Sequence, residues 1–242
     1  MGMLVQRQFC VASDDREEFE RQSREGVWVN MRYNGAQMIA YGTWAFGAPG
    51  DVVITHSVYE DADHWTATRA WGAFATEAAR VEETAPIRAI YAGRLRLARH
   101  SCATIINYDA ALSEPTPRYR QVGEPLAALP PTFGPRSIVA QTTYQLVPDG
   151  HAQFRVLSTE AIWPWYTSAG ARLMIFGHDP LASRHEVVTL LAFRDISAWH
   201  RLGQPEGDTP EHITAAWRDR EQVILSQKTK LLMVGTRFGQ SV

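Results

Sequence analysis

The feature that most constrains this chain is an internal repeat, because a sequence that says the same thing twice must fold the same way twice. Residues 35–42 read GAQMIAYG and residues 170–177 read GARLMIFG, an offset of 135. Val53-Ile54-Thr55-His56-Ser57-Val58-Tyr59-Glu60-Asp61 is answered, at an offset of 134, by Val187-Val188-Thr189-Leu190-Leu191-Ala192-Phe193-Arg194-Asp195. Each of these segments puts an aromatic two residues before an aspartate and a tryptophan (Trp65, Trp199) four residues after it. The openings correspond as well, LVQRQFCVASD at 4–14 and IVAQTTYQLVPD at 138–149. Matches in one order at nearly constant offset point to duplication.

Each copy carries the same elements. A strand-forming run opens it (4–11; 137–147), and a polar segment of helical character follows (15–30; 149–167). Asp14 and Asp149 stand where an N-cap would satisfy free amides. A second strand (36–46; 171–178), a Gly/Pro turn and a third strand (52–59; 186–193) come next. Asp61 or Asp195 then caps another helix, and a last strand closes the copy at about 98–107 and 230–238. The order β-α-β-β-α-β is the ferredoxin-like unit. Residues 1–110 form the first repeat and 137–242 the second. The stretch 111–136, with Pro115, Pro117, Pro125, Pro130, Pro131 and Pro135, reads as a linker. A four-stranded sheet with helices on one face leaves its other face apolar and bare. The fold class expected is therefore α+β, two fused βαββαβ repeats placed sheet to sheet as a dimeric α/β-barrel within one chain.

Composition excludes several partners. The net charge of −2 provides no basic field for nucleic acid, and no apolar run approaches the roughly 20 residues needed to span a bilayer. No secretory leader is visible at the N-terminus, so a cytoplasmic protein is expected. Two cysteines, Cys10 and Cys102, make neither a disulfide framework nor a thiolate metal site, and both fall in strand patterns where small core residues belong. Of the 24 basic residues only Lys228 and Lys230 are lysines, a bias that reads as codon composition.

The run Tyr41-Gly42-Thr43-Trp44, then Gly47 and Gly50, the strand ending His56-Ser57-Val58-Tyr59-Glu60-Asp61, Arg69 beyond it, and Arg7 two residues before Phe9 resemble the NIPSNAP family of the dimeric α/β-barrel superfamily. In the second copy Thr142 stands where Arg7 would be, and His178-Asp179-Pro180 replaces the Thr43-Trp44 segment. The resemblance implies the barrel fold. It also implies a superfamily that includes cofactor-free monooxygenases, polyketide cyclases, isomerases, lactonases and haem enzymes.

Strong chemical signatures are missing: there is no GxxxxGK, no GxGxxG, no HExxH and no GxSxG. His56 shares a strand face with Val52, Ile54 and Val58, and Leu190 holds its place in the other copy. It is either a hydrogen-bonded core histidine or a proton shuttle aimed into a pocket. On the second strands, Gln37, Ile39, Tyr41 and Thr43 are expected on one face, matched by Arg172, Met174, Phe176 and His178. Such a face suits a cavity with a polar rim, where Arg172 would bind a carboxylate or enolate oxygen and His178 would move a proton. Strand ends emerging into solvent would give the same pattern. Trp65 and Trp199 are core by equivalence, and the proline of Trp163-Pro164-Trp165-Tyr166 is expected to break or bend its helix. The aromatics there would form the wall of an apolar pocket, a packing plug or a surface on which another subunit docks. Glu60-Asp61-Ala62-Asp63-His64 reads as an acidic first helical turn rather than a metal site. His178 and His200 are haem ligands by residue type only.

The function expected is a cofactor-independent enzyme on a small, largely apolar, polyketide-like substrate. The chemistry would be proton transfer serving cyclisation, isomerisation, elimination or oxygenation. His56 and His178 are the catalytic candidates, and Arg7, Tyr41, Trp44, Tyr59, Tyr144 and Arg172 the binding candidates. No metal and no organic cofactor is expected. The partners expected are the substrate and, as one option, a second copy in a homodimer. The alternatives are a non-catalytic NIPSNAP-like binding or assembly protein and a haem-binding barrel enzyme.

Overall fold

Eight of the chain's strands close on themselves in the order β1-β3-β2-β9-β6-β8-β7-β4. The computed structural model describes residues 1–47, 50–68, 86, 89–90, 92–120, 124, 131–132, 134–203, 209–236 and 240–241. Arg69, Trp71 and much of the proline-rich stretch lie outside the described residues. The first half comprises β1 (Gly2–Val11), α1 (Arg16–Gln22), α2 (Trp28–Tyr33), β2 (Gln37–Trp44), β3 (Val52–Tyr59), α3 (Ala62–Ala67) and β4 (Ala98–Tyr108). The second half comprises β6 (Ile138–Leu146), α4 (His151–Leu157), α5 (Trp163–Ser168), β7 (Arg172–His178), β8 (Glu186–Phe193), α6 (Ile196–Gly203), α7 (Glu211–Glu221) and β9 (Ile224–Val234). Two short strands, β5 (Pro131–Thr132) and β10 (Gln240–Ser241), pair apart from the barrel. No described helix is long and apolar enough to cross a membrane.

The two halves are equivalent. Each sheet runs 4-1-3-2 in its own numbering, and the halves meet at two short antiparallel seams, β2 with β9 and β4 with β7. The fused ferredoxin-like barrel is thus built as the repeat requires. Its interior is an apolar layer supplied by both halves, including Leu4, Ile54, Val58 and Ile106 from the first and Val139, Ile175, Leu190 and Leu232 from the second. Two further cores lie outside, one between each sheet and its helices, around Phe19 and Trp28 in the first half and Phe154 and Trp163 in the second.

Several local expectations need correction. Neither Asp14 nor Asp149 caps a helix: Asp14 lies in a 3-10 turn over Ser13–Asp15, and Asp149 adopts a φ of 64° ahead of Gly150. Asp61 and Asp195 do cap, accepting from the amides of His64 at 2.8 Å and Ala198 at 2.7 Å. β9 starts at Ile224, not near 230. Residues 225–230 are exposed because this part of β9 pairs with β6 alone, so its polar sequence hides a strand with one free edge. Cys102 is exposed, on the corresponding stretch of β4. Pro164 stands in the first turn of α5. A five-residue π turn, Ser158–Ile162, precedes it, and the first half has the same turn at Ser23–Val27 without a proline.

A bulge in each second strand, between Met38 and Ala40 and between Leu173 and Ile175, breaks the simple alternation. Ile39 and Ala40 therefore both face the barrel interior, whereas Tyr41 turns out towards the helices. In the second copy Met174 and Ile175 face inward and Phe176 outward. The face shared by residues 37, 39, 41 and 43 does not exist.

Candidate functional site

The π turns place one serine in each half at the floor of the layer between sheet and helices. Single-turn π segments are rare and recur at functional sites, because the extra residue redirects the side chains around it. Ser23 and Ser158 are wholly buried, and each accepts from an arginine. Arg94 Nε lies 2.6 Å from Ser23 Oγ, and a terminal nitrogen of Arg220 lies 3.4 Å from Ser158 Oγ. Both guanidinium groups rest on aromatic rings from the first strand and first helix of their half. Arg94 is over Phe9 (4.5 Å) and Phe19 (4.1 Å), and Arg220 is over Tyr144 (5.8 Å) and Phe154 (5.4 Å), with Trp217 at 5.1 Å. The arginine–serine–aromatic group is therefore itself repeated.

The two copies differ in the space they leave. In the first half Arg7, Tyr59, Ser57, Asn30 and Arg94 surround a crevice of about 60 Å³. In the second, a cavity of about 410 Å³ opens among Thr142, Tyr144, Tyr166, Trp217, Arg220 and Thr229. The exchange of Arg7 for Thr142 is one cause, since the shorter side chain vacates the middle of the sheet; Thr142 hydroxyl is bonded to that of Thr229 at 2.9 Å. A cavity of this size suits a small organic ligand.

Arg220 is only 4% exposed, and among the described residues no carboxylate pairs with it; its Nε has no hydrogen-bond partner. A buried cation held by one long hydroxyl contact and three ring faces keeps donor capacity for an oxygen arriving in the cavity. Burial pushes the Tyr166 phenol well above its usual range, helped by Tyr144 and opposed by Arg220, so it stays a hydrogen-bond donor. Among the described residues Glu221 is the one carboxylate lining the cavity.

The residues singled out from sequence are scattered around this site. Tyr144 lines the second-half cavity, and Arg7 and Tyr59 line the first-half crevice. Tyr41 packs edge-on against Trp28 in the outer core. Arg172 is clamped in two places by Glu114, at 2.7 and 2.5 Å, and so holds the linker to β7. Trp44 lies at the β2–β9 seam, and His178 lines a separate cleft of about 540 Å³ beside His151 and an Arg155–Asp109 ion pair of 2.9 Å. His151 titrates below the usual histidine range, through burial first and then the charges of Arg155 and His178.

His56 is fully buried inside the barrel, paired across strands with Gln6. Burial lowers its pKa to about 4, while the Gln141 side chain from the opposite half favours the charged ring. Neither ring nitrogen reaches hydrogen-bond geometry. Gln6 and Gln141 are themselves repeat equivalents.

Sequence reasoning missed Ser158 and Arg220, and reached Tyr166 only as part of the Trp163–Tyr166 aromatic run. Ser158 was within reach, because it follows Ser23 at the repeat offset. Arg220 was not, because the segments between third and fourth strands differ by eight residues and place it only 126 beyond Arg94.

No family model and no curated protein matches the chain. Solved structures do. A putative monooxygenase from Lactobacillus acidophilus has 10% identity and a TM-score of 0.58, with 99% of each chain covered. An anthrone oxidase-like protein has 11% identity and a TM-score of 0.50, over 98% of this chain and 93% of that one. A NIPSNAP domain protein from Burkholderia xenovorans, at 18% identity and a TM-score of 0.34, covers 40% of this chain and 92% of its own. The fold of this chain is that of the dimeric α/β-barrel proteins.

Proposed function

We propose that the chain is an enzyme that takes an enolisable, largely apolar aromatic or polyketide-like substrate into the second-half cavity and oxidises it with O₂, without an organic cofactor. The observation that carries this reading is Arg220, a buried cation with no carboxylate partner among the described residues, facing a 410 Å³ space. The barrel fold shared with structures described as a putative monooxygenase and as anthrone oxidase-like is consistent with it.

A substrate with an acidic C–H next to a carbonyl, or conjugated to one through an aromatic ring, loses that proton to Glu221 or to water at the cavity edge. The enolate oxygen receives hydrogen bonds from Arg220 and from the protonated Tyr166, donors already fixed in place, so little reorganisation opposes charge development. The enolate carbon then adds O₂. For a methylene flanked by aromatic rings the balance is CH₂ + O₂ → C=O + H₂O: one oxygen atom enters the ring ketone, and the other leaves as water with both hydrogens.

Among the described residues lining this cavity none is histidine, cysteine or methionine, so it offers haem no axial ligand of those types. A homodimer would pair outer surfaces, since one chain already closes the barrel.

The test supplies anthrone and O₂ to the purified protein, following dissolved oxygen and quinone together. One quinone per O₂ is expected, with turnover lowered about 10²–10³-fold in a folded Arg220→Met variant. Turnover unchanged by that substitution overturns the assignment of this cavity. Arg220-dependent conversion of an enolisable substrate without O₂ uptake replaces oxidation by cyclisation, isomerisation or elimination.

A further inference from the structure

The only two lysines of the chain, Lys228 and Lys230, stand on the same face of β9, two and four residues before Leu232, which points into the barrel core. A fully paired barrel would bury them. Here the β2–β9 seam stops at Trp44 opposite Leu232, with one more bond from the Ala45 amide to the Leu231 carbonyl, so β9 is free on that side from residue 230 back. The inward face opens to solvent as a cavity of about 630 Å³ between the parting strands.

This mouth is lined by Lys228, Lys230, Gln8, Trp44, Phe46 and Trp199 among others, and none of the described lining residues is acidic. Lys230 Nζ lies 5.3 Å from the Trp44 ring centre, and Trp44 Nε1 donates to Gln8 Oε1 at 3.4 Å. No carboxylate among the described residues pairs with either lysine. The strand register assigns their twins in the first copy: Lys230 faces Gln141 as Thr104 faces Gln6, and Lys228 faces Thr143 as Cys102 faces Gln8. Trp44 corresponds by the repeat offset to Asp179. Two cations and an indole at the β2–β9 seam thus stand where the β4–β7 seam has two neutral residues and an acid. Packing that serves both halves alike does not require that change.

We infer that this mouth is a binding site for a planar aromatic carboxylate, its ring against Trp44 and its carboxylate between the two ammonium groups. An ammonium–carboxylate pair supplies charge-assisted hydrogen bonds, and a concave aromatic wall gives the ring a surface that an exposed lysine pair lacks. The inference is independent of Arg220 and of the chemistry proposed for its cavity.

The scarcity of lysine provides the test. Reductive ¹³C-methylation keeps the charge and labels only Lys228, Lys230 and the N-terminal amine, and Lys228→Arg and Lys230→Arg variants assign the two signals. Titration with 2-naphthoate is expected to shift both lysine signals saturably. In the Lys228→Gln/Lys230→Gln double variant, affinity by calorimetry falls about tenfold or more; these exposed side chains leave the fold intact, as circular dichroism verifies. The neutral 2-naphthamide and inorganic phosphate serve as comparisons. The inference is overturned if 2-naphthoate causes no saturable shift up to about 10 mM, if 2-naphthamide shifts the signals equally, or if phosphate alone reproduces the saturable shift.

Discussion

Gly42 and Gly177 occupy the same place in the two copies, and each lets a second strand reach the fourth strand of the other half. Gly42 pairs with Val234 and Gly177 with Tyr108. A Cβ on Gly42 would overlap the Met233 carbonyl oxygen, and one on Gly177 the Asn107 carbonyl oxygen, so both seams exclude any side chain there. Gly42→Ala and Gly177→Ala are each expected to cost about 1–3 kcal/mol in denaturant unfolding, because backbone has to move at the seam. Gly203, where a Cβ would meet nothing within 4 Å, is the control and tolerates alanine without loss. A neutral result at either seam glycine would show that the seam is not drawn this tightly.

The glycines explain why the architecture was legible in the sequence. The repeated GAQMIAYG and GARLMIFG begin at glycines with φ of 78° and 85°, which follow the helices, and end at the seam glycines, so backbone need fixed both ends of the motif. What lay between was misread, because a bulge at Met38–Ala40 cannot be told from plain alternation in a run of apolar residues. The π turns left no compositional trace. The site was less legible still, since Arg220 acquires its meaning from Ser158 and Tyr144, side chains 62 and 76 residues away in the chain. Arg172 looked like a ligand-binding cation until Glu114 of the linker was seen to occupy it.

The two arginine–serine contacts are equivalent in place but unequal in geometry, and that sets an order of effects. Ser23 Oγ accepts from Arg94 at 2.6 Å and donates to the Phe19 carbonyl at 2.6 Å, whereas Ser158 receives Arg220 at 3.4 Å. Ser23→Ala is expected to destabilise by about 1–3 kcal/mol, the range for stranding a buried polar partner, and Ser158→Ala by about 0.5–1 kcal/mol. Equal costs in chemical denaturation would mean that the second-half contact is as tight as the first.

Arg220 separates stability from turnover. A buried guanidinium with no carboxylate partner among the described residues has been desolvated with little return, so an unbranched apolar replacement leaves stability unchanged or raises it. Arg220→Met is therefore expected to melt no lower than the parent while losing the activity proposed for the cavity. A variant that loses both in proportion would identify Arg220 as a structural residue held by Tyr144, Phe154 and Trp217.

His56 gives the barrel a dependence on pH whose sign is fixed by burial. In the folded chain its pKa is about 4, lowered by desolvation, while an unfolded chain holds it near 6.5. Between these values the unfolded state binds the proton and the native state does not, so stability rises with pH through this window. The contribution is fully present above about 6.5 and is lost as pH falls towards 4, by up to about 3 kcal/mol. Leu190 fills the twin position in the same apolar layer, which makes His56→Leu the natural replacement. Unfolding free energies measured from pH 7.5 to 4.5 are expected to fall less steeply in His56→Leu than in the parent, with the two diverging most at the acid end. His64 and His151, whose pKa values are also lowered by burial, stay in both proteins and cancel in the difference. Parallel curves would mean that the imidazole is solvated in the native state, through an opening of the barrel at the His56–Gln141 level. In that case the histidine would again be within reach of a bound molecule.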